Sequence, residues 1–197
     1  MLKKLNNLQI KDRLFRAFIT VAVIMTTLSV VTLITMFVVS QLFSSALVNY
    51  GFAQGDIGRA MTQFADSRSA MRGIIGYDDQ EAIDTLLANH ETYKDTFTKE
   101  FNSLESAMVT AENKALYKDV QDKLDDYWTF EEEIIAQGAT TDREQCKLAQ
   151  DKALGELAPM YNDIYADLTE IMEIKVEKGQ SQSTLLATIV IILIVVI

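Results

Sequence analysis

Two arginines one helical turn apart, Arg68 and Arg72, are the residues of this chain best suited to bind a charged group. Side chains four apart on a helix share a face, and a guanidinium carries five donors in a fork that matches a carboxylate. Arg68 also interrupts an apolar stripe, where an unpaired cation is costly. Three readings are open. The partner is internal in the first: Glu131 lies about seven residues before a turn at Gly138 and Arg68 about nine before a turn at Tyr77, similar heights at 1.5 Å per residue. The second is an external anion, above all a carboxylate or amino-acid ligand. The third is a solvated pair.

Other chemistries find no residues to carry them. The single histidine, His90, is not preceded at three residues by glutamate, as a di-iron bundle requires, and it falls on an apolar stripe as a hydrogen-bonded core histidine would. No Cys-x-x-Cys-His and no phosphate-cradling glycine loop is present. The carboxylate runs Glu131-Glu132-Glu133 and Asp125-Asp126 read as solvated helix faces, with a cation site as the minor alternative. The reading is therefore no enzyme, no catalytic residue, no metal and no cofactor. The one cysteine, Cys146, cannot make an internal disulfide; it reads as a free thiol, with a cross-link between two copies as the alternative.

The elements that must position the arginines are helices. From Leu47 the inward positions step Leu47, Tyr50, Gln54, Ile57, Met61, Phe64, Arg68, Met71 and Ile75, the 3-4 rhythm of a packed helix. Gly76-Tyr77-Asp78-Asp79 breaks it, and Asp78 with Glu81 predicts a capping box. A second helix follows through Ile83, Leu86, Leu87, His90, Tyr93, Phe97, Phe101, Leu104 and Met108. Thr110 caps a third, with Leu116, Val120, Leu124, Tyr127, Glu131 and Ile134 inward and Gly138 as its C-terminal glycine. Thr141 to Glu144 reads as another capping box and opens a fourth, with Leu154, Leu157, Tyr161, Ile164, Leu168 and Ile171 on one stripe and a bend at Pro159. Short turns between four helices predict an all-α, up-down-up-down four-helix bundle over 44–182.

Two apolar runs flank that bundle. Ala17 to Val39 follows Lys3, Lys4, Lys11, Arg13 and Arg16, and a second run starts near Thr184 and is still apolar at Ile197. About 20 apolar residues cross a bilayer as a helix, so the expected plan is a basic cytoplasmic start at 1–16, a first transmembrane helix at 17–43, the bundle, and the start of a second at 183–197, with an output part beyond it. The first run exceeds the roughly 7–15 residues of a signal-peptide core and lacks a convincing cleavage site, so it reads as an uncleaved anchor. Residues after Ala17 carry 13 Lys/Arg and 27 Asp/Glu, a net of −14. Basic flanks stay inside, which places the acidic bundle outside a multi-pass cell-membrane protein in contact with lipid. That charge also argues against nucleic acid.

Helix length locates what faces the arginines. Arg68 lies about 27 residues, or roughly 40 Å, past the first membrane boundary near Gln41. The same distance back from Gln182 lands near Leu154. Gln150, Asp151 and Leu154 are the facing candidates, Gln150 with an amide and Asp151 with a carboxylate for a ligand ammonium group.

The layout resembles the N-terminal half of a bacterial methyl-accepting chemotaxis protein with a four-helix-bundle ligand-binding domain. The residues that carry the resemblance are the start Met1-Leu-Lys-Lys-Leu-Asn-Asn-Leu-Gln-Ile-Lys-Asp-Arg-Leu, the stretch Gly55-Asp-Ile-Gly58 and the block Ser67-Arg-Ser-Ala-Met-Arg72. The last is similar to the arginine-bearing first helix of the enteric aspartate chemoreceptor, where arginines grip the ligand across a dimer interface. The resemblance implies a homodimer that senses a small ligand. It also implies a second membrane helix leading to a HAMP linker and a methylated cytoplasmic coiled coil, which controls a histidine kinase and its adaptor. The alternative is the sensor half of a membrane histidine kinase or diguanylate cyclase.

Overall fold

The computed structural model describes residues 10–196, and of residues 193–196 the backbone only. Lys3 and Lys4 of the basic start, and Ile197, lie outside the described residues. Among the described residues every regular element is helical. In chain order these are α1 (Ile10–Ala46), a π-helical turn (Leu47–Phe52), α2 (Ala53–Ile74), α3 (Gln80–Ser103), a 3-10 turn (Leu104–Ala107), α4 (Ala111–Gly138), α5 (Arg143–Lys152), a second π-helical turn (Ala153–Leu157) and α6 (Ala158–Val196). They form two compact units: Ala46–Ser181, and the segments on either side of it.

Ala46–Ser181 is a four-helix bundle whose fourth helix is α5, the π-turn and the first part of α6. Its far end holds the turns at 75–79 and 139–142, where Arg143 bonds Asp78 at 2.6 Å. Its entry end holds the α3–α4 corner and the Tyr50–Gly179 approach, where a Cβ on Gly179 would sit 3.3 Å from that of Tyr50. Phe64 is the hub of the core. Its ring lies 4.7 Å from Tyr161, 5.1 Å from both Phe97 and Tyr127 and 5.6 Å from Trp128, so one aromatic cluster joins all four helices. Offset-stacked and edge-on pairs of this kind add about 0.5–1.5 kcal/mol each beyond their buried area.

The stripes read from the sequence point inward over most of their length. Ile57, Phe64 and Ile83, with Val120, Ile134 and Leu168, are sealed from solvent. Thr110 caps α4, its hydroxyl accepting from the Asn113 N–H. The other two caps sit one residue later than expected. Asp79, not Asp78, accepts the N–H groups of Glu81 and Ala82, and Asp142, not Thr141, accepts those of Glu144 and Gln145. An aspartate outcompetes a neighbouring threonine at an N-cap, and Asp78 is engaged by Arg143.

Two further expectations change. Gly138 does end α4, but no glycine has a positive φ; the residue is small because a Cβ there would meet Ile75 Cγ2 and Ala149 Cβ at 2.6 Å. Leu154 does not join the inner stripe. It is 77% exposed while Ala153 is buried, because the π-turn widens the helix just where the 3-4 count would have brought Leu154 in.

In the other unit α1 buries no residue; Phe18, Leu33 and Phe37 are each about two-thirds exposed. Its Thr20, Thr26, Thr27, Ser29 and Thr32 hydroxyls each donate to the carbonyl four residues back, which satisfies them without water. The helical stretch from Ile10 contains one window long and apolar enough to cross a membrane. The second span expected from Thr184 is not shown. α6 is unbroken to Val196, but from Leu185 it has about 18 Å of apolar helix against roughly 30 Å of hydrocarbon.

Candidate functional site

A groove of about 350 Å³ opens near the far end of the bundle. One wall is α2, which contributes Arg68, Met71 and Arg72. The other is the fourth helix, which contributes Gln150, Ala153, Leu154 and Leu157. Four of the five expected residues, Arg68, Arg72, Gln150 and Leu154, therefore line one space. Asp151 does not line it; its carboxylate faces solvent, 3.5 Å from Lys147 on the preceding turn. Four residues on the helix bring Lys147 and Asp151 onto one face, a different face from Gln150.

Arg68 does not pair with Glu131, which corrects the internal reading. Its guanidinium carbon lies over the Tyr161 ring, 4.0 Å from the centroid. Glu131 is instead held by two other donors, with Tyr127 Oη donating to Oε1 and His90 Nε2 lying 3.0 Å from Oε2. Height along the bundle does not distinguish His90 from Arg68 as a partner for Glu131. The bonds themselves do: His90 and Tyr127 occupy both carboxylate oxygens, which leaves the carboxylate no need of a guanidinium. Burial, then the adjacent Glu131 charge, pushes the Tyr127 hydroxyl well above the usual tyrosine range, so it remains a donor. His90 is thus the hydrogen-bonded core histidine that its place on a stripe suggested.

Arg68 packs over Tyr161 and also lines the groove. Burial raises the Tyr161 hydroxyl while Arg68 opposes the rise. Among the described residues no carboxylate lies within ion-pair distance of Arg68 or Arg72. Gln150 spends its amide N–H inside the protein, donating to the Ile75 carbonyl at 2.7 Å and tying the fourth helix to the end of α2.

Pro159 supplies a feature that the sequence pattern missed. A proline inside a helix has no N–H to donate and crowds the carbonyl four residues back. The helix absorbs it with the π-turn, in which the Ala158 N–H bonds the Ala153 carbonyl five residues back. The Leu154 carbonyl then has no backbone donor four residues on, because Ala158 is taken, and none five residues on, because Pro159 has none to give. The residue that carries this acceptor, Leu154, is rotated outward by the π-turn and lines the groove with the arginines. The expected bend at Pro159 is realised as this wider turn, a kind of irregularity often found where helices bind ligands.

The buried Cys146 thiol donates to the Thr140 carbonyl at 3.0 Å and approaches that of Gly138 at 3.6 Å, so the cross-link between copies has no accessible sulfur. Among the described residues no group of three or more His, Cys, Asp or Glu is placed to hold a metal.

Comparison with curated proteins and with solved structures returns no match. A family pattern does match, over residues 7–195. With a helical bundle, a groove at its far end and a match over nearly its whole length, the chain belongs to the family of four-helix-bundle sensory modules for signal transduction.

Proposed function

We propose that this chain is the sensory half of a transmembrane chemoreceptor of the methyl-accepting type, with the bundle outside the cell membrane and the groove between α2 and the fourth helix receiving a small carboxylate or amino acid. The observation that carries the reading is the groove's polar complement. Two guanidiniums without a carboxylate partner among the described residues line one wall, and Leu154, whose carbonyl the π-turn leaves without a backbone donor four or five residues on, lines the other. An anion takes the forked donors of Arg68 and Arg72. A hydroxyl or ammonium on the same ligand takes the carbonyl, in place of the Asp151 expected from the sequence. Met71, Leu157 and Ala153 supply an apolar floor.

Homodimer formation and coupling to a cytoplasmic kinase-control module through a second membrane helix belong to the same proposal, and reading the residues beyond Ile197 tests the output. The ligand reading is tested with the full chain in lipid nanodiscs. Thermal unfolding is followed against a panel of free amino acids and small mono- and dicarboxylates. At least one is expected to raise the midpoint in the native chain and to lose that effect in both Arg68→Glu and Arg72→Glu. An equal ligand effect in the two charge-reversed chains removes the arginines from the site.

A further inference from the structure

Lys175 is the one fully buried lysine among the described residues. It continues the inner stripe of the fourth helix past Ile164, Leu168 and Ile171, in a position that packing would fill with an apolar side chain. Its ammonium donates to the Ala107 carbonyl at the α3–α4 corner and lies 5.5 Å from the centre of the Tyr50 ring. No carboxylate pairs with it among the described residues. The charged groups on the surrounding elements are directed elsewhere. Glu105 on the 3-10 turn, Glu112 on α4, and Glu173, Glu177 and Lys178 on α6 are exposed, and Asp56 on α2 is paired with Arg59.

A second observation falls at the same level. Asn113 is sealed from solvent, and neither its amide nitrogen nor its oxygen has a partner. Lys123 of α4 reaches both Asp163 and Asp167 of α6. Ten residues down one antiparallel helix and ten along the other bring Asn113 level with Lys175. A buried amide without partners and a buried cation without a counter-ion each carry a desolvation cost that the packed state does not recover. Two such groups in one layer concentrate that cost at the entry end, whereas the middle of the bundle holds a satisfied Tyr127–Glu131–His90 network and the aromatic cluster.

We infer that the entry-end layer is a built-in conformational switch, held close to opening by Lys175 and Asn113, in which Lys175 leaves the Ala107 carbonyl for solvent and the α3–α4 corner loosens from the fourth helix. A lysine stem is long enough to carry its ammonium from the interior to the surface while its methylenes stay packed. The backbone around the seat is already irregular: Tyr50 belongs to a π-turn, the corner ends in a 3-10 turn, and the chain passes from there through Met108 at φ −80°, ψ 75°. Local opening in a bundle starts where packing stabilises least. This inference stands on the packing of the entry end and goes beyond the ligand reading, which concerns the other end.

Burial lowers the Lys175 ammonium below its ordinary 10.5. A base lowered in the folded state binds fewer protons folded than unfolded between the two values. Its penalty is therefore present at low pH and is relieved as pH rises through the folded value toward 10.5. Two tyrosines stand at this end: Tyr50, whose ring faces the ammonium, and Tyr117, which burial and then Glu105 push up to about 12, above that window.

The test uses the full chain in nanodiscs without ligand, comparing native, Lys175→Met and Asn113→Leu by hydrogen exchange and thermal unfolding from pH 7 to 10. Lys175→Met is expected to raise the midpoint at pH 7 by roughly 3–8 °C, and to remove any rise in stability between pH 7 and 10 that the native chain shows. It should also slow exchange of amides 104–114 at least tenfold while leaving those of 75–79 unchanged. Asn113→Leu should slow the same segment. If Lys175→Met lowers the midpoint, fails to fold, or leaves exchange of 104–114 unchanged, Lys175 is a structural anchor and the switch is overturned. An unresponsive arginine groove leaves this result untouched.

Discussion

His90 Nε2 and Glu131 Oε2 meet at 3.0 Å with both side chains sealed from solvent, and Tyr127 Oη completes the carboxylate's bonding from one turn away. This contact crosses from α3 to α4 at the level of the aromatic cluster. Its members depend on one another, because a buried carboxylate without donors is far more costly than no carboxylate at all.

Truncation of one partner is therefore expected to cost much more than replacement of both. His90→Ala or Glu131→Ala should each lower unfolding free energy by about 3–5 kcal/mol, while the double change His90→Leu with Glu131→Leu should recover a large part of that loss. Denaturant unfolding of the four chains measures it. Additive losses in the double variant would show that the two residues stabilise the bundle separately.

How much of this was legible in the sequence depends on what kind of information each feature carries. Helices, turns and most inward positions followed from spacing alone, because a side chain's face is set by 3.6-residue geometry whatever its partners are. Partners are another matter. Arg68, His90 and Glu131 are three polar intruders on apolar stripes at similar heights, and height does not say which two touch. The caps at Asp79 and Asp142 slipped by one residue because Asp78 and Thr141 are also competent cap residues. Leu154 was misplaced because a proline in a helix is compatible with either a bend or a wider turn, and only the wider turn swings Leu154 out. Lys175 went unremarked because lysine is a surface residue by default.

Topology is read most cleanly beside Cys146 rather than at it. The native thiol is bonded to backbone carbonyls and 8% exposed, so it should resist a membrane-impermeant maleimide while the bundle is folded. The adjacent Lys147 side chain is 74% exposed. In a Cys146→Ser background, Lys147→Cys should label fully in intact cells. Labelling only after lysis would reverse the orientation expected from Lys3, Lys4, Lys11, Arg13 and Arg16.

Gly138 predicts a steric effect at the far end. A methyl group there would stand 2.6 Å from Ile75 Cγ2 and from Ala149 Cβ, and 3.0 Å from Ile75 Cβ. None of these is the free end of a flexible chain, so Gly138→Ala should destabilise the bundle by about 1–3 kcal/mol despite alanine's better helix propensity. At Gly73 the nearest atom is Leu86 Cδ1 at 2.7 Å, a movable tip, and Gly73→Ala should cost distinctly less. Denaturant midpoints of the two variants, read against the native chain, check the order. Equal costs would mean that the far-end turns yield more readily than their packing implies.

Pro159→Ala separates the stability of the fourth helix from the chemistry of the groove. Alanine restores an N–H at 159 and favours a helix interior over proline by about 3 kcal/mol where nothing else adjusts. The π-turn has already absorbed part of that strain, so a gain of about 1–3 kcal/mol in unfolding free energy is expected. The restored N–H also gives the Leu154 carbonyl a donor, either five residues on within the π-turn or through a return to α-helical pairing that buries Leu154. In both cases the acceptor on Leu154 disappears. Matched pairs of acids that differ only in one hydroxyl or amino group report on it. Where the native chain prefers the member with the donor, the Pro159→Ala chain should bind both alike, with dependence on the arginines intact. A preference that survives in the alanine chain would mean that some group other than the Leu154 carbonyl receives the ligand's donor.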